Sequence, residues 1–161
     1  MTSLRASRAS DAGSLALAAA WLGAGILFAA VVAPAAFAVL PSRSLAGAVV
    51  GRVLPALFYC GMATGVALML LQARASGRLV TAGTVAGLVT AVSCAIGQLV
   101  IAPRIERVRA AIPGPVEELP ATDARRAEFG RLHASSVVWL GVGMLGAAAG
   151  GGIALVRLRR D

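Results

Sequence analysis

The chain has 161 residues, 58% of them hydrophobic and 14% charged, with 19 glycines, two cysteines and one histidine. Its 15 basic residues, every one an arginine, face 7 acidic ones for a net charge of +8. This composition leaves no room for a soluble domain beside the apolar segments, and it directs the basic excess toward lipid phosphate rather than nucleic acid.

Charge is absent from residues 12–42, 53–73, 79–103 and 132–156. Each stretch exceeds the roughly 20 apolar residues that cross a hydrocarbon core about 30 Å thick. A charge at mid-bilayer costs about 2.5–3.5 kcal/mol, which explains why all of them fall in tails and connections. The pattern predicts an all-α integral membrane bundle of four transmembrane helices, a single membrane domain over 1–161 with spans near 14–40, 53–73, 79–103 and 132–156.

Arg5 and Arg8 precede the first apolar run, and Ala36-Phe37-Ala38 has the small-x-small form of a signal peptidase site. The run is about twice the usual 7–15 residue signal core, so it is expected to remain as a membrane helix. Pro34 should break that helix, because the ring removes a backbone donor and restrains the preceding residue. Pro41-Ser42-Arg43 ends the span, and residues 44–52 form a short segment leading into the second helix.

Five residues, 74–78 with Ser76-Gly77 among them, join the second and third helices as an antiparallel hairpin. Small residues four apart, Gly61 and Gly65, Gly83 and Gly87, Gly146 and Gly150, suit close helix packing in lipid. Cys60 and Cys94 lie inside spans and read as small apolar residues rather than a disulfide or metal ligands.

The long connection, 104–131, divides at Pro113-Gly114-Pro115. Before it, residues 104–111 continue the third helix, with Glu106 and Arg109 three apart on its surface. After it, Thr122 or Asp123 caps a helix that runs unbroken into the fourth span. Both helices should therefore extend beyond the bilayer, with Phe129 and Leu132 on the inward face. Glu117-Glu118 reads as solvated loop. Arginine numbers do not decide orientation, since seven lie on the side of the tails and eight opposite. The cluster Arg157, Arg159 and Arg160 favours cytoplasmic termini.

Few residues offer chemistry. His133 stands alone at the interface, too thin a supply for haem or copper, and no metal site or cofactor is implied. Gln98 is the most polar residue deep in a span and shares a stripe with Cys94 and Thr90; Ser135 and Ser136 follow His133. Interhelical hydrogen bonds account for such groups, and a polar pocket for a small molecule competes with that reading. Tyr59 suits either. A nucleophile with its base, a carboxylate pair and a phosphate loop are all missing from the sequence, so no enzyme is indicated.

The run Phe37-x-x-Leu40-Pro41-Ser42-Arg43-x-x-Ala46-Gly47, then Pro55-x-x-Phe58-Tyr59, Ala102-Pro103-Arg104 and Phe129-x-x-x-His133-x-x-Ser136 resembles the transmembrane protein 205-like family. That group of small four-helix membrane proteins is defined by a domain of unknown function. The resemblance implies a multi-pass helical bundle and adds no reaction. Members often place Asn one turn beyond the serine; here that neighbourhood is Trp139-Leu140, so no amide role is carried over. Pro103, Arg104, Phe129, His133 and Ser136 are the signature positions, and Arg104, His133 and Ser136 are expected to form an interfacial polar cluster facing a lipid head group.

The sequence thus reads as a non-enzymatic protein of a bacterial inner membrane, with membrane lipid or a second copy of the chain as partner and no nucleic acid. A small transporter or exporter is the alternative, followed by a haem- or copper-handling protein.

Overall fold

Helix α1 (Thr2–Leu27) starts well before the first apolar run, and Asp11 is buried on its inner face. In the computed structural model, which describes residues 2–160 with side chains from Arg5 onward, its buried positions are Asp11, Ser14, Ala18, Trp21 and Gly25, with Phe28 next. Steps of three and four alternate, the 3.5-residue period of a left-handed bundle. Helix α6 (Ala124–Arg160) repeats it at Ser136, Leu140, Gly143, Ala147, Gly150 and Ala154. The two run antiparallel: a Cβ at Gly151 would touch Ala18, and one at Gly25 would touch Met144.

Between them lie α3 (Arg43–Ser76) and α4 (Ala82–Ala95), each packed on the other. Helix α1 contacts α3 and α6, while α4 contacts α3 and α6, so the four form a square. Four helices are long and apolar enough to cross a membrane, and among the described residues there is no strand. Helix α3 absorbs residues 44–52, expected as a separate segment, because Ser42 caps it by accepting the Leu45 N–H at 3.1 Å and Ala46 is fully buried. At its other end Gly77 takes φ 65°, the left-handed turn that opens the hairpin. Thr81 and Thr84 then form a reciprocal cap on α4.

Two stretches widen into π-helix, Phe28–Val32 and Ile96–Ile101. Each is followed by a resumed α-helix with proline in second place: α2 (Ala33–Val39) with Pro34 and α5 (Ala102–Ala110) with Pro103. The ring of a proline collides with the carbonyl four residues back, and one extra residue in the turn moves that carbonyl aside. The expected break at Pro34 takes this form; the sequence held no expectation of a second at Pro103. Pro55 stays inside regular α3, so the Gly51 carbonyl lacks its helical N–H donor. Beyond its π turn, α2 packs on α3 and parts from α6.

Polar contacts tie the end that carries both tails. Arg157 Nη1 lies 3.3 Å from Asp11 Oδ1, Ser7 Oγ donates to the Ala75 carbonyl at 3.1 Å, and the buried Gln72 Nε2 donates to the Gly150 carbonyl at 3.0 Å. Nearer the middle, Trp21 Nε1 donates to the Leu57 carbonyl at 2.9 Å. Both cysteines are free, Cys94 buried and Cys60 exposed on the outer surface.

At the opposite end the connection folds back over the bundle. Ile112 is buried, a 3₁₀ turn follows at Val116–Glu118, and Glu117 Oε1 accepts the Ser44 N–H at 3.0 Å. Glu117, expected only as solvated loop, thus caps α3. Asp123 caps α6: Oδ1 accepts the Arg125 N–H at 2.8 Å and Oδ2 the guanidinium at 2.8 Å. The Arg125 side chain, then its backbone N–H, hold the carboxyl below its ordinary 3.8, at about 2. A depressed folded value means that this cap contributes fully above the ordinary value and is lost as pH falls through about 2. D123N, which keeps an acceptor but no titrating charge, should flatten that limb. Melting temperature followed from neutral pH down to acid, for both proteins, checks it.

Candidate functional site

A partly open cavity of about 630 Å³ lies at the end of the bundle away from the tails, within the size range of pockets that enclose one small ligand. Phe37 from α2, Leu54, Pro55 and Phe58 from α3, and Phe129 from α6 make its apolar wall. Arg43, Arg109 and Arg126 face Glu106 and Glu117 around its mouth.

Arg109 is the organising side chain. Its guanidinium carbon sits 5.7 Å from the centre of the Phe129 ring, a cation–π distance, and Nη1 is 3.9 Å from Glu106 Oε1. It lies against α3 where that helix has no side chains: a Cβ at Gly47 would stand 3.5 Å from Nη2, and one at Gly51 3.8 Å from Nη1. Phe129 in turn stacks parallel to His133, one turn on, with ring centres 6.4 Å apart. Arg126 Nη1 donates to the Leu119 carbonyl at 2.6 Å, which ties the connection to α6. Arg43 has no ion-pair partner among the described residues.

Of the residues singled out from sequence, Gln98, Pro103, Phe129, His133 and Ser136 all line this cavity. Arg104 does not; it is exposed, and Arg109 holds the place beside His133's neighbour Phe129. Tyr59 is 53% exposed on the outer face of α3, away from the cavity. Arg109, Gly47 and Gly51 were not anticipated as site residues, although the Gly47-x-x-x-Gly51 spacing carries the same small-residue signal as the pairs deeper in the bundle.

Gln98 Oε1 is buried without a hydrogen-bond partner. It sits in the π turn before Pro103, where the missing proline N–H leaves a carbonyl of that turn without its backbone donor. Thr90, by contrast, is satisfied within the bundle, donating to Ala86 and Gly143 carbonyls at 3.0 and 3.3 Å. Among the described residues no three His, Cys, Asp or Glu side chains group as metal ligands. The arrangement suits recognition: a basic mouth for an anion, an apolar wall behind it, and acceptors at depth.

A family model described as Domain of unknown function (DUF4149) matches residues 16–113, more than half of the chain and every lining residue up to the start of the connection. No curated protein and no solved structure matches it.

Proposed function

Since the chain belongs to this family of unknown function, whose description names no reaction, we propose that it is a non-enzymatic multi-pass membrane protein that binds an anionic amphiphile in the cavity between α3, α5 and α6. Within the family we place it in the transmembrane protein 205-like group, on the order of the Pro41-Ser42-Arg43, Ala102-Pro103-Arg104 and Phe129-x-x-x-His133 segments, and in a bacterial cell membrane. The observation that carries the binding reading is the arrangement of the cavity: three arginines at its mouth and aromatic and aliphatic side chains behind them. An amphiphile in a bilayer has the same order, charge at the interface and hydrocarbon below.

Each arginine near an anionic head is worth about 1 kcal/mol, and so about fivefold in affinity. Native mass spectrometry from gentle detergent, with phosphatidylglycerol added, should show retained lipid that weakens by that factor in R109Q. R52Q, which removes an exposed arginine outside the cavity on the same side of the bundle, should retain lipid like the wild type. Equal loss in both variants, or no retention, overturns the reading.

A further inference from the structure

The cavity wall carries hydrogen-bond acceptors that have lost or lack a donor, one of them at depth. Gln98 Oε1 is buried with no partner. The Gly51 carbonyl has lost its helical donor to Pro55, and both residues line the cavity. On the facing helix, Pro103, also in the wall, takes a donor from the carbonyls of the π turn that contains Gln98. Two prolines in the cavity wall, on two facing elements, thus each leave a backbone oxygen without its helical donor. An amide side chain can be turned to present its nitrogen, but a backbone carbonyl accepts only.

Of these acceptors, Gln98 lies on the membrane side of the arginines, while Gly51 stands at the level of Arg109. Arg109 reaches α3 at Gly47 and Gly51, and the carbonyl of Gly51 points along α3 toward the bilayer. Gln98 stands 11 residues before Arg109, which at about 1.5 Å per residue puts it deeper by some three turns. An occupant whose charge sits at Arg109 therefore places its chain beside the unpartnered Gln98 Oε1. A plain alkyl chain there leaves that oxygen without a donor, at a cost that one hydroxyl would remove.

Resting on the amphiphile-binding reading above, we infer that the occupant is an anionic amphiphile whose chain carries a hydrogen-bond donor, a hydroxyl or an N–H, below the charged head. Arg109 reads the anion and Gln98 accepts from the donor. Hydroxylated chains are selected over plain ones of equal length and charge.

The test uses purified full-length protein in mild detergent and three probes of one length: stearate, 3-hydroxystearate and 12-hydroxystearate. Affinity is read by competition against a fluorescent fatty acid. At least one hydroxylated probe should bind about tenfold tighter than stearate, the effect of one satisfied buried acceptor. Q98L, which removes the acceptor that penalises a plain chain, should erase that ratio by bringing stearate up toward the hydroxylated probes, and R109Q should weaken all three together. Equal binding of all three probes to the wild type overturns the inference, as does a ratio unchanged in Q98L; a cavity whose acceptors are served by water gives the first result. Failure of every probe to bind the wild type removes the amphiphile-binding reading itself, and the inference with it.

Discussion

Replacing Gly65 with leucine should prevent the bundle from assembling. A Cβ at Gly65 would stand 2.7 Å from the Gly87 carbonyl oxygen and 2.8 Å from Ala91 Cα, and Gly87 reciprocates with Met69 N at 2.6 Å. All of these are backbone atoms, so no side chain can swing aside and only separation of α3 from α4 relieves the collision. In lipid there is no hydrophobic gain to hold separated helices together, since the chains around them are as apolar as leucine. Ordinary overpacking costs about 1–3 kcal/mol, and a backbone collision should reach the top of that range or pass it. G65L should lose its monodisperse peak in detergent and its cooperative thermal transition. Gly23 is the control, because a Cβ there meets nothing within 4 Å; G23L should melt with the wild type. A G65L protein that melts normally would contradict the packing described.

The second large effect is asymmetric. Asp11 is 1% exposed while the side chain of Arg157, its partner at 3.3 Å, is 28% exposed. Removing the arginine withdraws one of the contacts of a carboxylate that is shut off from water; breaking a buried pair typically costs about 3–5 kcal/mol, and the contacts Asp11 keeps hold the loss to the low end of that range. Removing the aspartate leaves an arginine that can extend to the interface on its own stem. R157L should therefore lower stability by about 3 kcal/mol and D11L by about 1. The double variant should recover part of the loss, because the buried carboxylate leaves together with the arginine. Unfolding midpoints in a graded detergent series measure all three, and equal effects of the two single changes would refute the asymmetry.

The bundle itself was readable because lipid imposes so strict a rule: four charge-free runs, each long enough to cross, leave little else for the chain to do. The break at Pro34, the hairpin after Ser76 and the Asp123 cap follow from local chemistry that acts within one turn. The π turn before Pro103 does not. A proline whose ring is accommodated by one extra residue carries the same local sequence as one that bends a regular helix. That extra residue rotates every later side chain by about 100°. Arg104, expected in the cluster from the resemblance, is exposed beyond that turn, while Arg109 lies over the Phe129 ring. Asp11 and Gln72 were hidden for another reason. Gln72 sits near the end of α3 and Asp11 at the edge of the first charge-free run, where sequence gives no sign that a polar side chain turns inward, and both meet partners from α6.

Gln98 stands out in the sequence only as a polar residue in apolar surroundings, and His133 and Ser136 also as positions of the family resemblance and of the expected interfacial cluster. What joins them is tertiary: α3 contributes glycines where Arg109 lies, α6 contributes the ring it covers, and the connection closes the mouth through Glu117. None of those relations has a fixed spacing along the chain.

Photo-crosslinking tests most directly whether this cavity is where an amphiphile sits. A phosphatidylglycerol analogue with a photoreactive group beside its head, incorporated with the protein into nanodiscs, should label Phe129, Gly51 and neighbouring residues of the cavity mouth, and R109Q should reduce that labelling several-fold. Adducts confined to outward-facing positions such as Tyr59, Val138 and Leu145, unchanged by R109Q, would show that lipid merely surrounds the bundle.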